Sequence, residues 1–169
     1  MRKRSRTLAA ALFVVYGLAL VWVILFKMQF SLEMAGTMRS VNLIPLAGAM
    51  VINGVVSYTE VVQNMLAFVP FGLFMGMLVG PRPLWRALVP IAATSLAFEV
   101  LQFVFAMGAS DITDLLANTV GGVLGIGLYA LVRHLAKSDE RALRFCNTVA
   151  LIGIVLVLGF VGLILIANR

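Results

Sequence analysis

One cysteine and one histidine in 169 residues leave this chain little of the usual catalytic and metal-binding chemistry. The lone cysteine, Cys146, excludes an internal disulfide and any multi-cysteine metal site, so buried packing is its expected role. The lone histidine, His134, follows Arg133 and has no ligand partner near it, so a solvated headgroup contact is its expected role. Charge is scarce too. Charged residues are 12% of the chain and hydrophobic ones 62%, where a soluble domain has about a quarter and about half. With a mean hydropathy of +1.07, that balance leaves no room for a soluble catalytic module. The formal charge of +6 comes without any basic run interleaved with stacking aromatics, so nucleic acid is not an expected partner. There is no internal repeat and no low-complexity tract.

What is present is a set of long uncharged runs. Five stand out, at about 8–27, 61–80, 85–107, 114–133 and 145–167. Each approaches the roughly 20 residues a helix needs to cross a hydrocarbon core. Backbone groups in lipid must bond internally, so these runs are expected to be helices. The fold class is therefore all-α, a polytopic membrane helix bundle with about five transmembrane helices. The first run, Thr7 to Phe26, follows Met1-Arg-Lys-Arg-Ser-Arg6 and is too long for a cleaved leader, with no small-x-small site close behind it. It reads as an uncleaved signal anchor.

Orientation follows from the basic residues. With the N-terminus inside, the cytoplasmic parts hold ten of them: Arg2, Lys3, Arg4, Arg6, Arg82, Arg86, Arg133, Lys137, Arg141 and Arg144. The other side holds three, Lys27, Arg39 and Arg169. This is a strong positive-inside bias, and it places the C-terminus outside. The linker from about 28 to 60 is long for a helical bundle. Its apolar stretch 41–56 contains Pro45, Gly48 and Gly54 and is expected to lie at the interface or re-enter, not to span.

In this topology the polar residues of three helices fall at one level near the non-cytoplasmic face. Glu60, Gln63 and Asn64 open the second run, Glu99 and Gln102 lie in the outer half of the third, and Asp111, Asp114 and Asn118 lead into the fourth. Glu99 and Gln102 are three apart and Asp114 and Asn118 four apart, so each pair shares a helix face. Asp111 is a candidate N-cap. A carboxylate inside the membrane costs about 2.5–3.5 kcal/mol by insertion scales, so Glu99 needs a partner or a watery cavity. Arg39, in the long outer linker just before Asn42 and Pro45, is the cationic candidate. A lone buried amide or carboxylate usually just joins helices. Three carboxylates, two amides and an arginine together point to a pocket.

Other features are blander. Gly121, Gly125 and Gly127 suit close helix packing. Pro70 and Gly72 are expected to bend the second helix.

The residues that carry this pattern also carry a resemblance. Arg39-x-x-Asn42-x-x-Pro45, Asn64-x-x-x-Phe68-x-Pro70-x-Gly72, Glu99-x-x-Gln102 and Asp111-x-x-Asp114-x-x-x-Asn118-x-x-Gly121 occur in this order inside hydrophobic segments. The chain resembles the VanZ-like family over about residues 12–133. The resemblance implies a multi-pass protein of the bacterial cytoplasmic membrane. It also implies a link, known for some members, to resistance against teicoplanin-type glycopeptide antibiotics and to the cell envelope. On that basis the chain is one membrane domain over 1–169. Residues 134–169 add a cytoplasmic basic loop and a further transmembrane helix to the 12–133 core. One departure stands out: members often carry a basic residue shortly before the first aspartate, and here Met107-Gly-Ala-Ser precedes Asp111.

Two readings of the pocket stay open. In the first, Arg39, Asn42, Asn64, Glu99, Gln102, Asp111, Asp114 and Asn118 bind an amphiphilic or lipid-linked ligand at the outer leaflet, amid membrane lipids. In the second, an intramembrane enzyme uses a carboxylate acid/base pair, or a divalent cation held by oxygen ligands, on a lipid-linked envelope substrate. No cofactor is implied by any motif, and no dedicated metal site is expected. A transporter or assembly scaffold is a third option, weakened by the absence of repeat symmetry.

Overall fold

Apolar runs surrounded by lipid must pair their own backbone groups, and in this chain they do so as five helices. The computed structural model describes residues 2–26, 38–46, 51–52, 55–56, 58–80, 82–105 and 107–167. In chain order these form α1 (Arg2–Phe26), β1 (Met38–Asn42), β2 (Val51–Ile52) and β3 (Val55–Val56). Then come α2 (Thr59–Val79), α3 (Trp85–Val104), β4 (Met107–Asp111), α4 (Ile112–Ala136) and α5 (Asp139–Ala167). All five helices are long and apolar enough to cross a membrane. The protein is an all-α membrane bundle, as composition requires.

The strands are the unexpected part. β1 pairs with β4 in parallel, Met38 opposite Met107 through Asn42 opposite Asp111. β2 and β3 form a short antiparallel hairpin, Val51 opposite Val56 and Ile52 opposite Val55. The described part of the 41–56 stretch is thus extended chain and turn, not helix. Lys27, Gly48, Gly54 and Arg169 lie outside the described residues.

Between membrane helices there is no hydrophobic drive, so association rests on close van der Waals packing and interhelical hydrogen bonds. The α2–α4 contact shows how close. A side-chain carbon added at Gly121 would collide with the Met65 carbonyl, one at Gly125 with the Val69 carbonyl, and one at Gly72 with the Gly122 backbone. Farther along, Gly76 lies against the Tyr129 ring. Residue numbers rise together on both helices, so α2 and α4 run parallel. Gly127, grouped with the other two by spacing, faces open space and takes no part. Pro70 sits inside α2, which continues through it.

Two apolar clusters fill the bundle. One joins Ala9 and Leu12 of α1 to Phe74, Met77, Tyr129, Leu143 and Cys146. The other joins Leu20 and Ile24 to Phe68, Phe71, Ile91 and Phe98. Cys146 is buried packing, as expected. Farther along α5, Leu151, Ile152, Val155, Leu156, Val157 and Leu158 are exposed, which suits contact with lipid.

The basic stretch after residue 133 is mostly helix. α4 continues to Ala136, Lys137 closes it in a left-handed conformation (φ 51°), and α5 begins at Asp139. The connection is two residues, not a loop from 134 to 144. This end of the bundle is also knitted by polar side chains. Tyr129 donates its hydroxyl to Asp139 Oδ1 at 2.9 Å, and Arg6 pairs with Asp139 Oδ2 at 3.6 Å. Asn147 donates to the Ser5 carbonyl at 2.8 Å. The opposite end, the site end, carries β1 and β4.

Candidate functional site

One face of α3 is polar and buried. Ser95, Glu99 and Gln102 are spaced four and three apart, which stacks them on a single stripe of the helix. All three are buried, Glu99 to 7% exposure and Gln102 to 4%. α3 ends at Val104, five residues beyond Glu99, so the carboxylate lies about 7–8 Å from the helix end at about 1.5 Å per residue. That is shallower than a helix running to residue 107 implies.

The parallel pairing of β1 with β4 brings the start of the long linker onto this stripe. Asp111 ends β4 and caps α4: its Oδ1 accepts the Thr113 N–H at 2.8 Å and the Thr113 hydroxyl at 2.6 Å. An extended residue followed two positions on by a threonine suits this local turn. Its other oxygen, Oδ2, accepts from Asn42 Nδ2 at 3.1 Å. Asn42 Oδ1 in turn accepts the Ile44 N–H at 3.2 Å. The Leu46 N–H reaches the Thr113 hydroxyl oxygen at 2.9 Å. Leu46 has φ 65°, a left-handed conformation unusual for a branched side chain, and the Thr113 bond helps to hold it there.

Glu99 joins the same network from α3. Its Oε2 accepts the Asp111 N–H at 2.9 Å, while its carbonyl accepts the Ser110 hydroxyl at 2.7 Å. A hydrogen bond to a charged group contributes about 1.5–3 kcal/mol. That is comparable with the insertion cost of a carboxylate at this depth. The strand thus offsets part of the cost of burying a carboxylic group here.

The eight residues singled out by sequence divide into groups. Asn42, Glu99 and Asp111 share one hydrogen-bonded network. Asn118, 1% exposed, makes a separate buried pair, donating to Ser95 Oγ at 2.9 Å. Gln102 turns to α1 and donates to the Ile24 carbonyl at 3.1 Å. That carbonyl is among the last four of α1, which have no partner within their own helix. Asp114 is half-buried in the first turn of α4. Asn64 is half-buried on α2, beside Met65, whose carbonyl lies against Gly121. The Arg39 backbone sits on β1 opposite Gly108, and its side chain is outside the described part. Glu60 and Gln63 are exposed on the first turns of α2.

Sequence reasoning missed Ser95, Ser110 and Thr113. Ser95 had a readable signal, four residues before Glu99 on the same face. Thr113 had one also, in its spacing from a capping aspartate. Ser110 had none, because its partner is a carbonyl. Among the described residues no group of three or more histidine, cysteine, aspartate or glutamate side chains is placed to hold a metal.

Comparison with known proteins identifies the family. A family model described as VanZ/LLP1 matches residues 13–133, which run from α1 to the end of the site and along α4. Protein VanZ of Enterococcus faecium is 33% identical over 152 residues, covering 88% of this chain and 91% of that protein. No solved structure matches the chain. With a family model covering most of its length and a relative aligned nearly end to end, the chain belongs to the VanZ/LLP1 family.

Proposed function

We propose that the site end faces the outside of the bacterial cytoplasmic membrane and binds an amphiphilic or lipid-linked envelope ligand. In this role the protein contributes to resistance against teicoplanin-type glycopeptides. The observation that carries the reading is the convergence of Asn42, Glu99 and Asp111, from three separate elements, into one network. Family membership supports the link to resistance, and the distribution of basic residues supports the orientation. Teicoplanin-type antibiotics carry a lipid tail and act where lipid-linked wall precursors are displayed. A polar cluster at that depth, next to lipid, suits a ligand with both a polar head and a chain.

The geometry does not support acid–base chemistry by Glu99 paired with Asp111. Glu99 meets Asp111 through the backbone, and both Asp111 carboxylate oxygens already accept hydrogen bonds within the protein. Glu99 and Asp111 are therefore not a contact pair in which one carboxyl group is forced to hold its proton.

The test is expression in a glycopeptide-susceptible bacterium. Wild type is expected to raise the inhibitory concentration of teicoplanin more than that of a glycopeptide without a lipid tail. Glu99→Gln, expressed to the same level, is expected to lose that effect. Equal susceptibility with and without the wild-type protein would overturn the proposal.

A further inference from the structure

Two buried amides at the site end use their N–H groups on the protein and leave their oxygens without a partner. Gln102 has no choice in this. The Ile24 carbonyl it meets can only accept, so Gln102 must turn its amide nitrogen there, and its Oε1 is left buried and unbonded. Asn118 does the same one level deeper: Nδ2 goes to Ser95 Oγ, and Oδ1 is buried without a hydrogen bond. An unsatisfied buried acceptor is costly, and native proteins rarely keep one without a use. The site end has two, placed as acceptors at the two ends of the Ser95–Glu99–Gln102 stripe, and Asn147 Oδ1 at the opposite end is a further one among the described residues. Each belongs to a side chain at least nine-tenths buried.

Resting on the reading of this end as a binding site, we propose that it recognises its ligand through hydrogen-bond donors on the headgroup, hydroxyl or ammonium. The chemistry is that of the leftover atoms. A carbonyl oxygen in a low-dielectric site rewards any O–H or N–H that reaches it, and it repels a phosphate oxygen. Gln102 Oε1 is the acceptor nearer the end of α3. Asn118 Oδ1 lies deeper, at the level of Ser95, and accommodates a second donor on an elongated headgroup.

Short-chain lipids separate the possibilities. Dihexanoyl phosphatidylethanolamine and phosphatidylglycerol carry headgroup donors, and dihexanoyl phosphatidylcholine carries none, while all three share a phosphodiester. With detergent-purified full-length protein, the two donor lipids are expected to raise the melting temperature by about 3 °C or more. Phosphatidylcholine at the same concentration is expected to leave it nearly unchanged. Asn118→Leu and Gln102→Leu should abolish the difference. Asn118→Asp, which keeps an acceptor that Ser95 can donate to, should preserve it. Free ethanolamine and glycerol form a further arm. If they reproduce the shift, the donors belong to a soluble ligand, and if they do not, to a lipid.

Equal stabilisation by all three lipids, lost in Glu99→Gln, would overturn donor recognition while leaving the binding site in place. Stabilisation by sodium over choline chloride, with no lipid effect, would replace the donor by a metal cation. No lipid effect that depends on Glu99 would remove the binding reading and this inference with it.

Discussion

Asp111 and Glu99 meet through the backbone: the Asp111 N–H donates to Glu99 Oε2 at 2.9 Å, and the Asp111 carboxylate faces the other way, to Thr113 and Asn42. Replacing the Asp111 side chain therefore leaves the bond to Glu99 available. What is lost is the cap of α4 and the tie to β1. Asp111→Ala is expected to cost about 1–3 kcal/mol, from a lost cap and a lost side-chain bond. Asp111→Asn, itself a good cap, is expected to cost less than about 1 kcal/mol. Thermal unfolding in detergent compares the two. Equal losses would mean that the charge matters and the cap does not.

Glu99→Gln tests the other member of the pair. Glutamine keeps an oxygen to accept the Asp111 N–H and removes a charge that insertion scales penalise by about 2.5–3.5 kcal/mol. Groups kept for function are often held at a cost to stability. The variant is expected to melt at or above the wild-type temperature while losing the resistance phenotype. A marked fall in melting temperature would assign Glu99 chiefly to holding α3 against β4.

The glycines of α4 make a graded series. Gly121→Leu and Gly125→Leu drive a side chain into the α2 backbone, where nothing flexible can give way. Overpacking of that kind costs about 1–3 kcal/mol, and more where backbone must shift. Gly127→Ala meets nothing and removes a helix-weakening residue. It is expected to be neutral or to stabilise by up to about 1 kcal/mol. Expression level and melting temperature of the three variants give the order.

Hydropathy alone made the five helices legible, because a span in lipid writes its length into an uncharged run. The level at which Glu99 and Asp111 meet was legible for a related reason: alternating spans fix which helix ends lie together. The strands were not. β2 and β3 have two residues each, too few for any periodic signal. β1 and β4 pair across 69 positions of sequence, a distance no local pattern encodes. Gln102 shared a helix face with Glu99, yet it serves α1 instead, because the unpaired carbonyl of Ile24 is a tertiary fact. At the other end, Arg6 read only as one of the basic residues that set orientation, and Asp139 carried no reading. Only the fold shows that they face one another beside Tyr129.

The β1–β4 register can be checked by cross-linking. Val41 pairs with Ser110, and neighbouring strand residues lie within disulfide reach. In a Cys146→Ala background, Val41→Cys with Ser110→Cys is expected to oxidise readily. Ile44→Cys with Ser110→Cys, outside the register, is not. Cross-linking in both pairs, or in neither, would count against the parallel pairing.

The orientation has its own test, independent of any ligand. Tyr58 is exposed immediately before α2 at the site end, and Lys137 is exposed between α4 and α5 at the opposite end. In the Cys146→Ala background, Tyr58→Cys should react with a membrane-impermeant maleimide on intact spheroplasts. Lys137→Cys should react only after the membrane is opened. The two positions lie at opposite ends of the parallel helices α2 and α4, so they cannot both label from one side if the bundle spans. Labelling of Lys137→Cys alone on intact cells would put the Glu99–Asp111 network in the cytoplasm. A ligand of the outer leaflet would then have no access to it, and the proposed function would fail although the fold and the family stand.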